Sequence, residues 1–166
     1  MNGRVRLAVG AIVYSYLHND LKYILIQKEK VMDTKTGNPH TISAYWDFPK
    51  GGKKEGEDDF SALKRELKEE LGLEKFKIVM KLPFSLEFKF PKKIKEKIGF
   101  SSQKTNLFLV NFQGNESEIQ IDKEELKEFG IFPFNSAIKK LGKKESKEVF
   151  KDAHTLLVSI LKSKSI

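Results

Sequence analysis

The sequence predicts an α+β or mixed α/β domain in which helices pack on a mixed β-sheet. Three observations carry that expectation. Several short runs are β-branched and apolar and are separated by turn residues. Two segments, 58–71 and 146–162, place apolar residues at three- and four-residue steps. The order is strands, one helix, strands, then helices, without an internal repeat or low-complexity linker. A chain of 166 residues suits one domain over 1–166 with a sizeable core, and its 13 phenylalanines can help fill it.

In chain order, "VRLAVGAIVYSYL" (5–17) and "YILIQKE" (23–29) read as strands joined by a hairpin turn at Asn19-Asp20. "VMDTKTGNPHTISAY" reads as a polar loop with turn signals at Gly37 and Asn38-Pro39. "WDFP" reads as a short strand stopped by Pro49. Residues 58–71 read as a helix, with Asp58 or Asp59 as N-cap and Gly72 ending it in the left-handed conformation. Residues 75–90 read as two strands broken at Pro83, and 91–103 as a mobile, basic connection. A strand over 104–114 follows, then "EELKEFGIF" as helix or loop. A short helix capped near Asn135 or Ser136 and a closing amphipathic helix over 146–162 complete the chain.

The absence of cysteine excludes disulfides, thiolate metal sites and cysteine nucleophiles. His18, His40 and His154 have no metal-ligand spacing. No apolar run is long enough to cross a membrane, and the N-terminal residues show no signal-peptide pattern, so a cytoplasmic protein is expected. The formal net charge of +8 favours anionic partners such as nucleotides or RNA, although dispersed lysines also make an ordinary solvated surface.

The stretch from Trp46 to Leu73, "WDFPKGGKKEGEDDFSALKRELKEELGL", carries the chemistry. At about 100° per residue, Phe60, Leu63, Leu67 and Leu71 form a stripe facing the sheet. Glu66, Glu69 and Glu70 share a neighbouring stripe, where like charges repel. A solvated face balanced by Lys64, Arg65 and Lys68 is the plain reading. The chemical reading is a hard-cation site, because Mg²⁺ takes oxygen ligands and shares them with substrate phosphates. The preceding Gly51, Gly52 and Gly56, with Lys50, Lys53 and Lys54, supply close backbone approach and positive charge for a polyphosphate.

Residues 51–73 resemble the Nudix box, G-x5-E-x7-R-E-U-x-E-E-x-G-U, where U is bulky and aliphatic. Gly51, Glu57, Arg65, Glu66, Leu67, Glu69, Glu70, Gly72 and Leu73 fill every specified position. The resemblance implies the Nudix fold, a mixed sheet sandwiched between helices. It implies Mg²⁺ or Mn²⁺ on Glu66, Glu69 and Glu70, with the Gly51 carbonyl as a further contact. Arg65 and Glu57 then orient the carboxylates. The implied reaction is hydrolysis of a nucleoside diphosphate linked to another group.

The stretches "WDFPKGG" and "QKTNLFLVNF" are similar to those of the diadenosine tetraphosphate hydrolases. That similarity implies phosphate contacts at Lys50 and Lys104, Glu125 as a candidate base near the metal, and Phe129 as a stacking platform. The chain departs from those enzymes at Gly52, where histidine is usual, and in the basic insert at 91–103. A dinucleoside polyphosphate hydrolase leads. An RNA 5′-pyrophosphohydrolase or decapping enzyme, an ADP-ribose pyrophosphatase and a non-catalytic nucleotide- or RNA-binding module are the other readings. The expected partners are a nucleotide or an RNA 5′ end and no membrane, with the protein as monomer or homodimer.

Overall fold

The computed structural model describes residues 3–32 and 39–164. Strand β1, Val5–Leu17, returns as β2, Asp20–Met32, through His18 and Asn19. Both turn residues have positive φ, 53° and 61°. Two left-handed residues in succession match the twist of a tight hairpin. The turn sits one residue before the expected Asn19-Asp20, because Asp20 already pairs with Leu17.

Strand β3, Pro39–Asp47, runs antiparallel to β2. The expected polar loop is therefore strand at 31–32 and 39–45, while Gly37 and Asn38 lie outside the described residues. Thr41, Ile42, Tyr45 and Trp46 are residues that suit a pleated surface. Strand β4, Lys50–Gly52, pairs with β1 instead. Ile26 of β2 faces Asp47, and Gly10 of β1 faces Lys50. The chain thus steps from β2 to β1 through Phe48-Pro49, and the Pro49 carbonyl accepts from the Ala11 N–H at 2.9 Å.

Helix α1, Asp59–Leu71, is followed by β5, Phe76–Lys89. Pro83 does not divide β5 in two; it lies in a register shift against the neighbouring strand between Lys81 and Ser85. Residues 92–98 form helix α2, Lys92–Ile98, not an irregular connection. Ile94 and Ile98 give it one apolar face at i,i+4, and Gly99, with φ 77°, ends it. Strand β6, Ser102–Phe112, then runs parallel to β1 and antiparallel to β5. The segment expected as helix or loop is strand β7, Leu126–Phe132, hydrogen-bonded to β2. Helix α3, Phe134–Lys140, starts before the expected caps because Pro133 already occupies the cap, where its missing N–H is not needed. Helix α4, Lys144–Lys164, closes the chain.

The mixed sheet is covered on both faces. Val9, Ala11 and Val13 of β1 point to the face covered by α1, with Leu63, Leu67, Phe108 and Val110. Ile12 and Tyr14 point to the opposite face, with Phe48, Leu109, Phe150, Ala153 and Leu157. The period-2 alternation of the strands makes both cores from one sheet. Among the described residues no helix is long and apolar enough to cross a membrane.

Candidate functional site

Local chemistry sets the position of α1. The Asp58 carboxylate caps the helix by accepting from the Ser61 N–H at 2.7 Å. Gly72, with φ 64°, returns its N–H to the carbonyls of Leu67 and Lys68. Ala62, Leu63, Leu67 and Leu71 are buried on the sheet. Phe60, expected on that stripe, is 53% exposed and rests its ring against Phe108. Glu66 and Glu70, four residues apart, are carried into the margin of the core and are buried. Glu69 points outward, its side chain 53% exposed. The expected acidic stripe is therefore a buried pair with an exposed third member.

Strand β4 brings a bare backbone against this pair. A Cβ on Gly51 would land on the Glu66 carboxylate, so only glycine fits there without displacing Glu66. Beside it the Arg65 guanidinium gathers the surrounding oxygens. Nε donates to Glu57 Oε1 at 2.6 Å, and Nη2 to Glu57 Oε2 at 2.9 Å and the Gly52 carbonyl at 2.9 Å. Nη1 donates to Glu66 Oε1 at 2.8 Å and Glu69 Oε2 at 3.2 Å. Glu57 also accepts from the Lys54 N–H at 2.8 Å. Hydrogen bonds from Arg65, then from Lys54, hold the Glu57 carboxyl down at about 2.

Glu70 is held differently. Its Oε1 lies 3.4 Å from Lys28 Nζ, and its Oε2 accepts from the Lys50 N–H at 3.2 Å. Burial pushes its carboxyl up to about 7; Lys28 opposes the shift and Glu66 adds to it. Burial would neutralise Lys28, but Glu70, Asp47 and Glu66 outweigh it and keep the ammonium charged.

These groups fit a hard divalent cation by their chemistry. Glu66, Glu69 and Glu70 offer oxygen donors beside a carbonyl-bearing glycine whose missing Cβ leaves room. Arg65 bridges Glu66 and Glu69 while Lys28 pairs with Glu70, and among the described residues no three acidic or imidazole groups converge on one point.

The other expected site residues are dispersed. Glu125 is exposed, but its carboxyl is pushed up by burial of part of the side chain, by Asp122 and by Glu66, which places it within electrostatic reach of the pair. Lys50 turns its ammonium into the protein: Nζ lies 2.8 Å from Asp47 Oδ2, and both side chains are buried. Lys104 is the third residue of β6, is half exposed and lies 4.0 Å from Glu87. It is not a sheet-edge lysine, because β6 runs between β1 and β5. Phe129 is partly buried on β7 against the α1 core.

Two residues, Lys28 and Arg6, join the site that the sequence did not single out, beside Phe100, one of the aromatics near basic residues that could stack a base. Lys28 continues the face of Ile24 and Ile26, and a lysine on that apolar period was the signal. Arg6 and Phe100 line a cleft of about 610 Å³ together with Lys53, Arg65 and Glu66. Arg6 donates to Gln103 Oε1 at 3.1 Å. Nothing local marks Arg6, since it enters through the register of β1.

The NUDIX domain model matches residues 5–153 of the chain. An RNA pyrophosphohydrolase of a Nitratiruptor species is 40% identical over 133 residues, 79% of this chain and 77% of that protein. An RNA pyrophosphohydrolase of Helicobacter pylori is 31% identical over 102 residues, 60% of this chain and 66% of that one. Among solved structures, a C. elegans Ap4A hydrolase in a binary complex superposes with a TM-score of 0.68 at 20% identity, covering 93% of this chain and 98% of the other. That last likeness is one of fold.

Proposed function

The chain belongs to the Nudix hydrolase family, and on that premise we propose that it removes pyrophosphate from the 5′-triphosphate end of RNA. It is a pyrophosphohydrolase, and the family generally uses a divalent metal. The observation that carries the RNA reading is the 40% identity, over four-fifths of the chain, to a protein named for that activity. Diadenosine tetraphosphate is the second reading, favoured by the P-K-G sequence at Pro49–Gly51. The lysine of that sequence is buried in an ion pair with Asp47, which removes one of its phosphate contacts.

The proposed ion is Mg²⁺, held by Glu66, Glu69, Glu70 and the Gly51 carbonyl. Bound there, it supplies Lewis acidity toward phosphoryl oxygens and lowers the pKa of water. Arg65 keeps Glu57, Glu66 and the Gly52 carbonyl in fixed relation. Arg6 and Lys53 in the cleft balance the phosphate charge. A water oxygen bonds to phosphorus, the anhydride P–O bond breaks, and pyrophosphate leaves a 5′-monophosphate. Glu125 accepts the water proton, since Glu69 is already bonded to Arg65.

The test is product analysis with Mg²⁺ on a 5′-triphosphorylated RNA, diadenosine tetraphosphate and ADP-ribose. Pyrophosphate release from the RNA, lost by orders of magnitude in Glu69→Gln, is the expected outcome. Faster conversion of diadenosine tetraphosphate to ATP and AMP overturns the RNA reading. Full activity in Glu69→Gln overturns the metal assignment.

A further inference from the structure

We propose that α2 is a docking surface for the body of an RNA chain, downstream of the 5′ end that enters the cleft. This rests on the RNA reading above and extends it to a surface outside the carboxylate site. The helix carries Lys92, Lys93, Lys95 and Lys97 against a single carboxylate, Glu96. Some lysines elsewhere sit beside a carboxylate, as in Lys53–Asp59, Lys75–Glu118 and Lys81–Asp59. Among the described residues no ion pair involves Lys92, Lys93 or Lys95, and all three are exposed.

The charges are presented on a fixed support. Ile98 is buried and Ile94 half-buried, so the apolar face is anchored and the lysines face out. The neck is closed by the Phe90 N–H donating to the Ser101 carbonyl at 2.9 Å, and the Ser101 N–H donating to the Arg4 carbonyl at 2.9 Å. This anchoring places α2 beside the site. Phe100, one residue past the helix cap, lines the same cleft as Arg65 and Glu66 and lies under the Arg4 guanidinium at 5.0 Å. Val5 is level with Ser102, while Gly52 pairs with Ala8, three residues along β1. That separation is roughly 10 Å. A strand whose terminal phosphates reach Arg65 therefore meets the aromatic ring first and the lysine-bearing helix next. Aromatic faces interleaved with cations suit a single-stranded nucleic acid.

The test compares wild type with Lys92→Glu/Lys93→Glu/Lys95→Glu, whose apolar anchor is intact. The substrates are a 5′-triphosphorylated RNA of about twenty nucleotides and a 5′-triphosphorylated dinucleotide. A 5′-hydroxyl RNA of the long length reports binding alone by fluorescence anisotropy. The variant is expected to lose about tenfold or more in kcat/KM on the long RNA and to keep wild-type turnover of the dinucleotide. Its binding of the 5′-hydroxyl RNA weakens, and the slope of log K against log salt falls by about 2, from about 0.7 for each of three phosphate contacts. Equal loss on both substrates, or no loss on either, overturns the docking role. Retained RNA binding with lost adhesion to phosphatidylserine vesicles also overturns it and makes α2 a membrane contact. Wild type that binds long RNA through α2 yet releases no pyrophosphate leaves the docking surface standing and removes the RNA 5′-pyrophosphohydrolase reading.

Discussion

Arg65 donates to five oxygens on four residues, Glu57, Glu66, Glu69 and Gly52. A planar fork can do this and an ammonium cannot. Arg65→Lys is therefore expected to lower kcat by tenfold or more while Tm moves by only a few degrees. Gly51→Ala tests the neighbouring contact. Its added Cβ meets the Glu66 carboxylate, so kcat is expected to fall about a hundredfold with the fold intact. Gly56→Ala is its counterpart: nothing lies near the added Cβ, but φ is +78°. It should cost about 1 kcal/mol of stability and leave kcat unchanged. Glu70 sets a pH dependence. Its carboxyl titrates near 7 when folded and at the ordinary 4.5 when unfolded. Between those values the folded state holds the proton more tightly, so unfolding free energy falls as pH rises through that window. Urea midpoints at pH 5 and pH 8 should show that fall in wild type and a flatter profile in Glu70→Gln.

At the scale of elements, the crossing from β3 to β4 depends on a buried ion pair. Asp47 Oδ1 accepts from the Phe48 N–H at 2.8 Å, while Oδ2 holds Lys50 Nζ. Asp47→Asn leaves that ammonium buried without its counter-charge, at a cost of about 3–5 kcal/mol. A thermal melt should show a large drop in Tm, partly restored by adding Lys50→Met, which removes the stranded charge. The same crossing was hard to read in the sequence, because a residue's partner across strands is not a local property. Helix α1 was legible to within a residue, since Asp58, the leucine period and Gly72 agree with one another. Helix α2 was not, because four lysines hide the two isoleucines that anchor it. Strand β7 was misread because "EELKEF" is rich in helix formers, and pairing with β2 overrides that preference. The box carboxylates could be named in advance, whereas Arg6 reaches the cleft, and Lys28 reaches Glu70, only through strand register.

At the scale of the whole molecule, one sheet separates two cores, and the carboxylates hang from one side of it. Phe150 anchors the other side, its ring 4.7 Å from Tyr23, 5.1 Å from Phe134 and 5.7 Å from Phe48. Leu67 is equally buried, but on α1 between Glu66 and the Glu69-Glu70 pair. Both truncations open cavities, and each should cost about 3–5 kcal/mol. Because every strand contributes to one sheet, each variant should still unfold in a single transition at a lower temperature. Their activities should part. Leu67→Ala lets α1 settle and moves carboxylates that need their places to within a fraction of an ångström, so kcat falls at a temperature where the protein is fully folded. Phe150→Ala leaves α1 on its own core, so kcat per folded molecule stays near wild type. Phe48 is the contact through which the α4 core can reach the site, since it directly precedes Pro49 and the strand that carries Gly51. A fall in kcat for folded Phe150→Ala would therefore locate a coupling through Phe48, and Phe48→Leu should reproduce it with a smaller loss of stability.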